Sequence, residues 1–124
     1  MSNAAMTRNT RKQHTETLDH LTVLIEQARQ LTARARRGRH VRLMRSARRI
    51  GEQLDAQGRQ LSTIYDDELL ASASALITVS HGYLEAITEQ LDAIERERHA
   101  TTTERIHAVR VISQRRALEN LHTR

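Results

Sequence analysis

Residues 31–50 read LTARARRGRHVRLMRSARRI, and this stretch decides where the chain turns back on itself. Ahead of and into it, Leu18, Leu21, Ile25, Ala28, Thr32 and Ala35 recur at alternating spacings of three and four, flanked by Leu24 and Leu31. That period places them on one core-facing helix face. Behind it, Leu43, Ala47, Ile50, Leu54, Gln57, Leu61 and Ile64 repeat at four, three, four, three, the seam of an antiparallel helix pair. Gly38 falls where a left-handed C-terminal cap is expected, so helices over about residues 9–37 and 41–65 should form a hairpin.

The same stretch carries the main charge feature. From Arg34 to Arg49, eight of sixteen residues are arginine: Arg34, Arg36, Arg37, Arg39, Arg42, Arg45, Arg48 and Arg49. A dense run of permanent positive charge repels itself unless carboxylates of the same chain or an external anion sit against it. Arg42, Arg45 and Arg49 lie clear of the apolar seam, where a solvated, salt-bridged face is the usual outcome. Arg36, Arg37 and Arg39, at the turn, project beyond the reach of a neighbouring helix.

Working outward, Asp66 followed by Asp67 and Glu68 has the chemistry of an N-cap and an acidic first turn. A break near Tyr65 is therefore expected, the competing reading being one helix over 41–99, since no Gly or Pro forces a turn there. Leu70, Ala73, Ile77, Ser80, Leu84, Ile87, Leu91 and Ile94, broadened by Leu69, Leu76 and Tyr83, predict a third helix over 67–99. Thr101 with Glu104 matches a capping box and predicts a fourth helix over 102–121, carrying Ile106, Val109, Ile112, Leu118 and Leu121. The expected fold is all-α, an antiparallel up-down-up-down four-helix bundle forming a single domain over residues 7–124. Residues 1–6 read as a disordered N-terminus that includes an expression-vector remnant. On the second helix Gly51 and Gly58 share an edge with Ala47. Each glycine costs roughly 1 kcal/mol of helix propensity. Close approach of another helix, within the bundle or from a second subunit, would offset that; the alternative is a slightly bent helix.

A chain of 124 residues with net charge +5 suits one soluble domain with an acidic partner. Nineteen of its twenty basic residues are arginine, a bias that codon usage in a GC-rich bacterial genome also produces. Cysteine is absent, which removes disulfides and thiolate chemistry. There is no apolar run long enough for a membrane span and no secretory h-region, so a cytoplasmic protein without membrane contact is expected. Phe and Trp are absent as well, which counts against base stacking and leaves any nucleic-acid contact mostly electrostatic.

Charge is segregated: +9 over residues 7–49, −7 over 50–99 and +3 over 100–124. An up-down-up-down chain would return Glu85, Glu89, Asp92, Glu95 and Glu97 to the arginine end, where they could cancel part of its field. Glu104 with His107 and Glu119 with His122 have the three-residue spacing of carboxylate-bridged metal bundles, but both pairs lie on one helix, so no metal site is expected. His81 invites comparison with histidine phosphotransfer domains. Leu84 and Glu85 stand where that family places a basic and a small residue, so a partly buried structural histidine is the stronger reading. No phosphate loop or nucleophile elbow appears, and neither an enzyme nor a cofactor is expected. These residues point to a helical interaction protein, a homo-oligomer whose arginines hold an acidic partner, nucleic-acid backbone first and acidic protein second. The alternative is a protein-binding adaptor, such as a secretion chaperone, immunity protein or assembly scaffold, working through Leu69, Leu76, Tyr83 and the apolar residues of the last helix.

Overall fold

The structure, a computed structural model, describes the backbone of residues 3–122 and the side chains of residues 11–121. Met1 and Ser2, within the stretch read as a vector remnant, and the side chain of His122 lie outside the described residues. The fold is all-helical, with three helices, α1 (Asn3–Arg37), α2 (Val41–Thr63) and α3 (Asp67–His122), and no strand among the described residues.

α1 and α2 form an antiparallel hairpin. A β-carbon placed on Gly51 would lie 3.2 Å from Ala28 Cβ, one on Gly58 would lie 3.9 Å from Leu21 Cδ1, and the rings of Tyr65 and His14 are 4.4 Å apart. Each step of seven along one strand of the hairpin is matched by a step of seven backwards along the other, so the register holds over two heptads. Leu21, Leu24, Ala28, Leu31 and Ala35 on α1 and Ala47, Leu54 and Leu61 on α2 are buried. Small residues concentrate toward the turn, where Ala28, Ala35, Ala47 and Gly51 allow the backbones close together. Leucines take over toward the far end. There His14, buried at 5% exposure, donates from Nε2 to the Leu61 carbonyl and so ties α1 to the last turn of α2.

The chain does break after α2. Ile64 is extended (φ −128°, ψ 124°), and Asp66 Oδ1 accepts from the Glu68 backbone N–H at 3.0 Å, the N-cap bond its sequence context predicts. One continuous helix over 41–99 is thereby excluded. The expected fourth helix, in contrast, does not form as a separate element: α3 runs unbroken through residue 101, and the described residues form three helices instead of four. The hydroxyls of Thr101, Thr102 and Thr103 do not cap a new helix. They bond back to the carbonyls of Glu97, Arg98 and His99 at 3.0, 2.9 and 2.9 Å. A threonine can satisfy its hydroxyl in either way, and with no Gly or Pro nearby nothing stops the helix.

Two compact units result, Met1–Thr88 and Glu89–Arg124. In the first, α3 runs parallel to α1. Gln13, Glu16 and Thr17 share a surface depression with Leu70, Ala71 and Ser74, and Gln27, Leu31 and Arg34 share another with Thr88. Ala73, Ile77, Ser80, Leu84 and Ile87 form the buried stripe of this part of α3, and the Gln57 amide donates to the Leu69 carbonyl at 3.5 Å. The second unit is helical through His122, and from Glu95 to Leu121 every side chain is exposed.

Candidate anion-binding tip

α1 ends at Arg37, where the sequence predicts, and the turn to α2 is closed by backbone hydrogen bonds. Gly38 N–H still reaches the Arg34 carbonyl at 3.1 Å, as in a regular helix. Arg39 N–H then bonds the Arg36 carbonyl at 3.0 Å and His40 N–H the Ala35 carbonyl at 2.8 Å, the paired closure of a Schellman motif. The left-handed residue is consequently Arg39, at φ 61°, and Gly38 has no positive φ, which corrects the assignment of Gly38 as the left-handed cap. A β-carbon on Gly38 would lie 2.6 Å from His40 Cδ2, so the glycine serves to seat the His40 ring.

The tip positions its arginines in two different electrostatic settings. Arg34, Arg36 and Arg37 occupy the last turn of α1, where positive side chains complement the carbonyl end of the helix. Arg42 and Arg45 stand at the opposite pole, in the opening turns of α2. That N-terminus has no acidic residue in its first turn, and its N-cap, His40, makes no side-chain capping bond. Since the first intrahelical bond runs from Met44 N–H to the His40 carbonyl, at 2.9 Å, the N–H groups of Val41, Arg42 and Leu43 point outward without a helical acceptor. Arg42, Arg45 and Arg49, with Val41 and Ser46, line a shallow depression of about 440 Å³ on α2. Around the other side Arg29, Arg36 and Arg48 border a groove of about 450 Å³ between α1 and α2, whose floor includes Ala28, Ala47 and Gly51 and whose rim carries Glu52 and Asp55.

Pairing within the chain reaches little of this charge. Arg48 Nε lies 3.1 Å from Glu52 Oε1, and Asp55 is engaged by Arg59 at 2.7 Å, both between residues four apart on α2. Arg34 is half-buried and has a partner. Arg36, Arg37, Arg39, Arg42, Arg45 and Arg49 are exposed, and no carboxylate pairs with them among the described residues. Of the acidic residues expected to fold back, Glu85 is held on its own helix by His81 Nε2 at 3.0 Å. Glu89, Asp92, Glu95 and Glu97 belong to the second unit.

His81 itself is exposed, not partly buried as its sequence setting predicts. Ser80 and Leu84 point into the core, and one residue along a helix turns His81 out of that stripe by about 100°. The buried histidine is His14, which the periodicity could have marked, because it lies seven residues before Leu21 on the same stripe. Among the described residues no three His, Asp or Glu side chains converge to hold a metal, and no helix is long and apolar enough to cross a membrane. Comparison with known protein families, curated proteins and solved structures finds no match for this chain.

Proposed function

We propose that this is a non-enzymatic helical interaction protein that grips an anionic polymer at the α1–α2 turn, with nucleic-acid backbone as the first ligand. The observation that carries the reading is the start of α2: outward N–H groups, no side-chain cap, no acidic first-turn residue, and arginines in their place. A helix N-terminus favours negative charge, so Arg42 and Arg45 there oppose the local field, and a bound phosphate relieves both the dipole and the arginine repulsion. Arg36, Arg37 and Arg39 supply further phosphate contacts that position without reading bases.

The test is duplex DNA and RNA binding by the full chain, titrated over salt. Contacts to six phosphates would give a log K against log salt slope of about −5 for DNA. Replacing Arg36, Arg37 and Arg39 together by alanine should weaken binding roughly tenfold or more and reduce that slope by about 3. Binding that ignores salt, or survives the triple replacement, would sink the proposal. Binding to polyglutamate with none to nucleic acid would move the ligand to an acidic protein.

A second reading, an adaptor working through an apolar helix face, draws on α3 of the first unit. Val79 and Tyr83 are 54% and 61% exposed one helical turn apart, beside the half-buried Leu76. Tyr83→Glu would abolish partner capture on that reading and leave DNA affinity unchanged.

A further inference from the structure

His40 stands among charges of one sign. From Gln27 to Gly51 the chain holds nine arginines and neither Asp nor Glu, and His40 lies inside that run, the one histidine between His20 and His81. Arg36 and Arg37 on α1, Arg39 in the turn and Arg42 on α2 are all within four residues of it, with Arg34 and Arg45 one step further out. The part of α3 that accompanies α1 in the first unit ends at Thr88, beside Leu31 and Arg34, and the carboxylate closest to that end, Glu85, is held by His81. The His40 ring is also fixed in place. A β-carbon on Gly38 would lie 2.6 Å from its Cδ2 and 2.8 Å from its Nε2, so that edge of the imidazole rests on the glycine, and the side chain is half-buried over the turn. It makes no capping bond to α2, and among the described residues neither ring nitrogen meets a carboxylate or a hydrogen-bond partner.

A histidine in this setting couples proton binding to anion binding. Imidazole changes charge between about pH 5 and 8, which no arginine does. In the free chain a proton on His40 adds to the repulsion among the surrounding guanidinium groups. A row of phosphates laid over the tip reverses the sign of that field, so binding is accompanied by uptake of protons from solvent at His40. Linkage is reciprocal: if the anion draws in the proton, the proton strengthens the anion, and affinity rises as pH falls. We propose that His40 is a proton-dependent contact of the anion-binding tip. Charged, it adds one phosphate contact to those of the arginines; neutral, it withdraws it. This rests on the anion-binding reading above and makes the strength of that binding a function of pH.

The test is the affinity of the full chain for one duplex DNA, titrated over salt at about pH 8 and again at about pH 5.5. The unmodified chain should bind about tenfold more tightly at the lower pH, and its log K against log salt slope should steepen by about 0.9, the share of one further phosphate. Calorimetry near neutrality, in two buffers of different ionisation enthalpy, should register net proton uptake on binding. His40→Gln should abolish both the pH response and the uptake while keeping the affinity seen at the higher pH. His40→Arg carries its charge permanently and should bind at about pH 8 as the unmodified chain does at about pH 5.5, a rescue that a merely structural ring would not give. DNA binding with the same affinity and slope at both pH values overturns the proposal and leaves the anion-binding reading standing. A pH response that His40→Gln retains does the same, as does a His40→Arg variant that binds no more tightly than His40→Gln. Absence of salt-dependent binding at either pH overturns the reading itself, and the proposal with it.

Discussion

Arg39 occupies a backbone conformation that a side chain resists. At φ 61° its Cβ crowds the carbonyl oxygen, a cost of about 1–2 kcal/mol that glycine does not bear. Arg39→Gly should therefore raise stability by about 1 kcal/mol in denaturant unfolding, while the same change weakens anion binding. An improvement in both would mean that Arg39 is not a ligand contact. The glycines of α2 make a second residue-scale contrast. Gly51 has Ala28 Cβ at 3.2 Å, so Gly51→Leu should overpack the hairpin and cost about 1–3 kcal/mol. Gly58 meets nothing closer than 3.9 Å, and Gly58→Ala should gain about 0.5–1 kcal/mol of helix propensity. Chemical denaturation of the two variants checks the pair. That the left-handed position is 39 and not 38 was illegible in the sequence, because a glycine after Arg37 suits either closure of a helix that ends there, and only the bonds from Arg39 and His40 with the φ of Arg39 show it.

Among the elements, α2 was legible nearly to its ends and α3 was not. The stop after α2 has an unambiguous cue, Asp66, whose carboxylate has no better use than the N–H of Glu68. Thr101 presents the same kind of cue but a different outcome, since its hydroxyl bonds equally well to the carbonyl of Glu97 inside a continuing helix. Replacing Thr101, Thr102 and Thr103 by alanine removes three β-branched residues and adds up to about 2 kcal/mol of local helix propensity. Amide hydrogen exchange should slow across residues 98–108 in that variant. Faster exchange there would show instead that the threonine back-bonds hold the segment together.

For the molecule as a whole, the arginine field at the tip is a stability statement as well as a binding one. Anything that binds the folded chain there stabilises it by mass action, about 2.7 kcal/mol at a hundred times Kd. Duplex DNA at low salt should accordingly raise Tm by several degrees, and Arg42→Ala with Arg45→Ala should remove most of that rise. An equal rise in the variant would place the anion elsewhere.

Periodicity and composition alone determined that the chain is helical, that it turns between residues 37 and 41 and again near 66, and that its positive charge is concentrated at the first turn. These are local properties, set by which residues recur at helical spacing and by what each can do for its neighbours. Tertiary structure decided the rest: that α3 is continuous, that His14 and not His81 is buried, that Gly51 is where the helices close on each other, and that α2 begins uncapped among arginines. The bond of His14 to Leu61 and the close approach of Gly51 to Ala28 depend on what lies across from a residue in space, and a spacing rule along one helix carries no information about the helix opposite.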